Sequence, residues 1–236
     1  MIEEITTKVF ADGADLESIL TLAEDPLISG FTTNPTLMWK AGLTDYAEFA
    51  HRLLERITDL PISFEVFADD EDEMRRQARL ISTWGSNVYV KIPVTTTSGE
   101  SMAPLIRELS QDGVQVNVTA LFTTGQVEST TEAVRDGAPS CISVFAGRIA
   151  DAGVDPLPIM ARSVEIISAV PQAELIWASP REVFNLVQAD AVGCQIITMT
   201  QDLLQKVQGL GKGLEQFSLE TVQMFHRDAA SAGFSL

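Results

Sequence analysis

Short runs of β-branched and apolar residues alternate with longer amphipathic stretches along the whole chain. The runs at 8–12 (KVFAD), 30–34 (GFTTN), 62–66 (ISFEV), 88–93 (VYVKIP), 114–121 (VQVNVTAL), 141–147 (CISVFAG), 174–179 (ELIWAS) and 194–200 (CQIITMT) have the length and residue types of strands. Between them, segments such as 70–84 and 123–137 repeat apolar residues at helical spacing. Strict β/α alternation predicts a parallel sheet. Eight repeats within 236 residues predict a closed α/β barrel, the (β/α)8 or TIM barrel, as a single domain over 1–236. Thr123–Gln126 and Ser179–Glu182 both have capping-box spacing, the second with Pro180 at the first helical position, so a helix is expected to start at each. The Gly-rich stretch 209–213 follows no strand and lacks P-loop spacing. The segment 209–217 therefore reads as a connector to an additional C-terminal helix over 218–232.

Strand alternation carries the functional information. Val88, Val90 and Ile92 fall on one face of the fourth strand and Tyr89 and Lys91 on the other. Lysine is almost never buried without a partner. It is either neutralised by a salt bridge, snorkels to water, or is a desolvated amine with nucleophilic character. The same alternation sends Ser63 and Glu65 of the third strand, Gln115, Asn117 and Thr119 of the fifth, and Ser143 and Phe145 of the sixth into the interior. The first strand ends at Asp12, the second at Thr32 and Asn34, and the seventh at Ser179. Polar groups thus gather at the C-terminal ends of the strands, where barrels of this kind build their active sites. A purely structural polar layer of this composition would bury Lys91, Glu65 and Asp12 at a cost in stability.

Composition narrows the function. A net charge of −17 disfavours nucleic acid and anionic membrane surfaces as partners, so an anionic ligand needs dedicated cations. Cys141 and Cys194 lie in apolar runs and read as buried thiols of a reducing compartment. His51 and His226 are far apart, and no Cys/His spacing suggests a metal site. Residues 1–4 carry no signal-peptide pattern, and no apolar run approaches membrane-spanning length. The expected location is the cytoplasm.

One chemistry fits these residues. Lys91 attacks a ketone, and the resulting iminium is an electron sink for the neighbouring carbon–carbon bond. Glu65 is the candidate acid/base, with Thr119 holding a water between it and the substrate. Asp12 is the candidate acceptor of the hydroxyl proton released on cleavage. Asn34, Asn117 and Ser143 suit the hydroxyls of a sugar. Arg148, after the sixth strand, and Arg181, in the expected first turn of a helix, suit a phosphate. Each arginine has an alternative role in a surface ion pair, and Asp151 is a local candidate partner for Arg148.

The residues Asp12, Thr32-Thr33-Asn34-Pro35, Val90-Lys91-Ile92-Pro93-Val94-Thr95, Asn117-Val118-Thr119, Ser143–Ile149 and Ala178-Ser179-Pro180-Arg181, each at its own strand end, resemble the transaldolases. The likeness is to the short-chain group that includes the fructose-6-phosphate aldolases. It implies a dihydroxyacetone unit carried as a Schiff base on Lys91, without metal or cofactor. That unit would pass from sedoheptulose 7-phosphate or fructose 6-phosphate to glyceraldehyde 3-phosphate or erythrose 4-phosphate, as in the non-oxidative pentose phosphate pathway. It implies catalytic roles for Lys91, Glu65, Asp12 and Thr119. It implies substrate contacts from Thr32, Asn34, Asn117, Ser143, Phe145, Arg148, Ser179 and Arg181. In the aldolase branch glutamine commonly stands at the position of Glu65 and tyrosine at that of Phe145, so this chain looks more like a transaldolase. Pro180 departs from an Ala-Ser-Phe-Arg pattern and bears on how Arg181 would meet a phosphate. The resemblance also implies a homo-oligomer, a ring of five or ten subunits, with the C-terminal helix able to pack on a neighbour. The competing readings are a Schiff-base aldolase that releases free dihydroxyacetone or uses a specialised sugar, and a non-catalytic sugar-phosphate-binding barrel.

Overall fold

The computed structural model describes residues 4–13, 15–33, 35–40 and 42–234. The chain runs β1 (Lys8–Asp12), α1 (Leu16–Leu22), β2 (Ile28–Thr32), α2 (Pro35–Lys40), α3 (Tyr46–Leu54), β3 (Ile62–Glu65) and α4 (Glu71–Ser82). It continues β4 (Val88–Pro93), α5 (Ala103–Gln111), β5 (Val116–Leu121), α6 (Thr124–Val134), β6 (Ser140–Val144), α7 (Ala146–Asp151) and α8 (Leu157–Ile167). It ends β7 (Ala173–Trp177), α9 (Phe184–Ala191), β8 (Ile196–Thr200), α10 (Gln201–Val207) and α11 (Leu214–Ser231). All neighbouring strands are parallel, and β8 pairs with β1 to close the barrel. The expected (β/α)8 barrel with an added C-terminal helix is the observed fold.

Alternation decides the packing. Val88, Val90 and Ile92 of β4, and Ile62 and Phe64 of β3, are buried outward against the helices in the main core. Inside the barrel, Phe10, Cys141, Ile176 and Ile196 form a second apolar layer below the polar mouth. Gly30 admits the Phe10 ring to this layer. A Cβ on Gly30 would lie 2.6 Å from the ring, closer than any real contact.

Several boundaries differ from expectation. β2 lies at Ile28–Thr32 rather than 30–34, because the chain turns into α2 at Pro35. β6 stops at Val144, since Phe145 already caps α7. The capping box at Thr123–Gln126 forms as expected. That at Ser179–Glu182 does not: α9 starts at Phe184. Ser179 adopts φ +59°, whereas an N-cap residue is usually extended. The N–H groups of Arg181 and Glu182 instead donate to Asn185 Oδ1. The last helix begins at Leu214, inside the expected connector, because Gly213 is the final helix breaker of that stretch. None of its residues is buried, and Leu214, Phe217, Val222 and Phe225 are exposed on it.

Candidate active site

Lys91 points inward from the middle of β4 and is only 9% exposed. Its partners come from the adjoining strands. Glu65, paired in register with Lys91 on β3, brings Oε2 to 3.2 Å from Nζ. That contact is an ion pair without hydrogen-bond geometry, and Nζ donates its hydrogen bond to the Thr33 carbonyl at 3.1 Å, just past β2. Asp12, at the end of β1, accepts a hydrogen bond from the Thr32 hydroxyl at 3.0 Å. Burial pushes the Asp12 carboxyl above its ordinary range, and the attraction of Lys91 and the Thr32 bond only partly oppose this. A raised carboxyl beside a charged lysine–glutamate pair can take up and release a proton as the neighbouring charges change.

Beneath this group a buried chain of side chains fixes the mouth. Ser143 Oγ donates to Asn117 Oδ1 at 2.7 Å, and Asn117 Nδ2 donates to Ser63 Oγ at 2.9 Å. Asn117 is fully buried and spent on these bonds, so it holds Ser143 in place rather than facing open space. Thr119 sits where the β5–β6 register shifts between Val118 and Leu121, next to Ala120 at φ +63°. Thr119 Oγ1 is buried without a hydrogen-bond partner among the described residues, and it faces a pocket of about 60 Å³. The pocket walls carry Asp12, Thr32, Lys91, Thr119, Ser143, Phe145, Arg148, Ser179 and Thr198, which are neighbours here and distant in sequence. Glu65, Asn117 and Arg181 stand behind or beside this wall. A larger hollow of about 340 Å³ adjoins Asp12, but Asp15 and Asp202 also line it, which makes it hostile to an anionic sugar.

The two arginines are differently placed. Arg148, on α7, lies over the Phe145 ring with its guanidinium carbon 5.3 Å from the ring centre. Among the described residues it forms no ion pair. Asp151, the local candidate partner for Arg148, pairs with Arg181 instead: Arg181 Nε donates to its two carboxylate oxygens at 2.9 and 3.0 Å. These bonds hold Asp151 below the usual carboxylate range. Arg181 Nη1 also donates to Ser179 Oγ at 3.1 Å. Arg181 is therefore a loop residue anchored at the rim, not a first-turn helix residue. Gly147 lets the α7 and β7 ends meet, since a Cβ there would lie 1.6 Å from the Ser179 carbonyl oxygen. Asn34 lies outside the described residues.

The family model described as transaldolase/fructose-6-phosphate aldolase matches residues 9–236. The chain belongs to the transaldolase/fructose-6-phosphate aldolase family. A probable transaldolase of Dehalococcoides mccartyi is 34% identical over 201 residues, 85% of this chain and 89% of the relative. A probable transaldolase of Streptococcus equi subsp. zooepidemicus is 36% identical over the same span and shares. The probable transaldolase 2 of Listeria monocytogenes is 33% identical over 214 residues, 89% of this chain and 94% of the relative. Among solved structures, a putative phosphonomutase from Burkholderia cenocepacia J2315 superposes with a TM-score of 0.60. It covers 91% of this chain and 95% of that one at 13% identity, a likeness of fold alone.

In this family member the site has three further residues, one within reach of strand alternation and two that escape it. Thr198 on β8 shares the pocket wall and has the inward alternation of Ile196, so the same rule extended to the last strand finds it. Thr33 contributes through its carbonyl, which no side-chain pattern reveals. Tyr46 opens α3 and reads as a helix residue packed on the core. Its ring stacks edge-on against Phe64, Phe67 and Trp84, while its hydroxyl accepts the Glu65 N–H at 2.6 Å. Burial holds the Tyr46 phenol far above its ordinary range, so it stays neutral. Among the described residues no cluster of three or more His, Cys, Asp or Glu side chains could hold a metal ion, and no helix is long and apolar enough to cross a membrane.

Proposed function

We propose that this protein is a transaldolase that carries a dihydroxyacetone unit on Lys91, taken from a ketose phosphate such as sedoheptulose 7-phosphate or fructose 6-phosphate. The observation that carries the reading is a lysine buried at the barrel mouth with two carboxylates in reach of its charge, Glu65 at 3.2 Å and the burial-raised Asp12. The free amine adds to the ketone carbon, and water leaves to form the iminium. The bond between the third and fourth carbons breaks, its electron pair flows into the iminium to give an enamine, and Asp12 takes the proton of the fourth-carbon hydroxyl. The aldose departs. The enamine then attacks the aldehyde of glyceraldehyde 3-phosphate or erythrose 4-phosphate, Asp12 returns a proton to the new hydroxyl, and water releases the product ketose. Glu65 moves the protons of the hydration and dehydration steps through a water bound at Thr119, whose hydroxyl has no hydrogen-bond partner among the described residues. Ser143 and Thr32 face the sugar hydroxyls, Phe145 lies along the unit, and Arg148 and Ser179 of the wall meet the phosphate together with Arg181, which reaches it from beside Ser179.

Glu65 and Phe145 favour transfer over simple aldol release. We place the enzyme in the cytoplasm, in the non-oxidative pentose phosphate pathway, as a ring of five or ten subunits. The uncovered apolar side chains of α11 support subunit packing. Borohydride reduction in the presence of a ketose phosphate should leave a stable adduct on Lys91, read by peptide mass spectrometry. No adduct, or an adduct on another lysine, overturns the reading and favours a binding barrel. Release of free dihydroxyacetone at the same rate with and without an aldose phosphate would favour an aldolase instead.

A further inference from the structure

The β2–β3 ladder stops one hydrogen bond short at the mouth. In a parallel pair the bonds alternate regularly between the strands. Phe31 N–H donates to the Pro61 carbonyl at 2.8 Å, and Thr33 N–H donates to the Ser63 carbonyl at 3.1 Å. The next bond in that series would run from Glu65 N–H to the Thr33 carbonyl. Instead Glu65 N–H turns to Tyr46 Oη at 2.6 Å, and the Thr33 carbonyl accepts Lys91 Nζ at 3.1 Å. The Tyr46 hydroxyl proton has an acceptor in Thr33 Oγ1, 3.5 Å away, because the Thr33 hydroxyl is itself donating to the Ser63 carbonyl at 2.8 Å. A directed chain therefore runs from Glu65 N–H through Tyr46 and the Thr33 hydroxyl to Ser63.

We infer that Tyr46 is a positioning residue for the Schiff-base lysine: its hydroxyl takes the Glu65 N–H in place of the Thr33 carbonyl, and so reserves that carbonyl for Lys91. The inference rests on the role proposed for Lys91. Tyr46 touches no substrate-facing surface in this account. It acts on the two residues that flank the amine, Glu65 through its backbone and Thr33 through its hydroxyl. Without the hydroxyl, the part-buried Glu65 N–H loses its partner unless the ladder closes by one more bond, and that closure competes with Lys91 for its acceptor.

The test compares Tyr46→Phe, Thr33→Val and the double variant with the wild type. Each is measured as the single-turnover rate of borohydride-trapped adduct per folded protein, with fructose 6-phosphate as the ketose, and as steady-state kcat and KM. The phenylalanine ring keeps the contacts with Phe64, Phe67 and Trp84, and valine matches threonine in shape. Tyr46→Phe should slow adduct formation about tenfold and lower kcat, with the KM for the aldose phosphate within twofold of wild type. Thr33→Val should move the same quantities in the same direction. The double variant should be no slower than the slower single variant, as expected when two groups act in one chain. An adduct rate within twofold of wild type in both single variants, or losses that multiply in the double variant, overturns the inference while leaving the lysine chemistry intact. If Tyr46→Phe does not fold, Thr33→Val alone decides by the same twofold criterion. A wild type that forms no adduct on Lys91 overturns the proposed function and this inference with it.

Discussion

Replacing Gly147 by Ala sets two predictable effects against each other. Gly147 lies in α7 with helical backbone, where alanine by propensity alone would add about 1 kcal/mol of stability. The new methyl, however, would sit 1.6 Å from the Ser179 carbonyl oxygen and 2.7 Å from its carbon. Neither atom can rotate away, because both belong to backbone. Relief requires the α7 start and the β7–α9 loop to part by about 1.5–2 Å, and overpacking of this kind costs about 3 kcal/mol. The net loss is about 2 kcal/mol, a fall in Tm of about 4–8 °C for a chain of this size. The same displacement moves Ser179 and Arg181 away from Arg148, so the KM for phosphorylated ketoses should rise about tenfold, with less change for unphosphorylated ones. Thermal denaturation and paired kinetics with fructose 6-phosphate and unphosphorylated fructose as the donor ketose read both effects. A Gly147→Ala protein as stable as wild type, with an unchanged KM, would refute the claim that close backbone approach holds the rim together.

Glu65→Gln should slow transfer by about 10²-fold or more if Glu65 moves protons, measured as kcat against wild type; an unchanged kcat removes it from the mechanism. Asp12→Asn should raise Tm at pH 7 while abolishing cleavage. The folded-state pKa of Asp12 is raised by burial, so its ionised form opposes folding above the unfolded value of 3.8, and the gain should vanish as pH falls below that value. A variant less stable at pH 7 contradicts this sign. Arg181→Ala should raise the KM for phosphorylated sugars about tenfold, and the added Asp151→Ala should recover part of the loss, because Asp151 left alone repels a phosphate. Removing α11 should leave the circular-dichroism spectrum of the barrel and lower the mass measured by light scattering; an unchanged mass shows that the helix does not join subunits.

Much of the site was readable because a barrel strand converts sequence parity into direction. Lys91, Asn117, Thr119, Ser143 and Asp12 all face inward as parity dictates, and the β3–β4 register sets Glu65 beside Lys91. What parity cannot describe is backbone. The left-handed Ser179 removed Arg181 from a helix that its capping spacing implied, and a non-glycine residue with positive φ carries no sequence mark. The exchange of Asp151 from Arg148 to Arg181 follows from that loop, not from spacing along the chain. Tyr46 was hidden for a different reason. An aromatic residue on an amphipathic helix reads as core, and its ring is core; only the hydroxyl is functional.

The seam between β1 and β8 joins residues from almost opposite ends of the chain, Lys8 with Ile196 through Asp12 with Thr200. Every other strand meets its predecessor in sequence. During synthesis the growing sheet therefore carries two open edges until Thr200 has emerged, roughly 10–40 s at about 5–20 residues per second. Unpaired parallel edges of such apolar strands invite pairing with other chains. A ribosome that stalls before β8 would release a sticky open sheet rather than a smaller barrel, so the last strand is what makes the nascent protein safe to leave unattended.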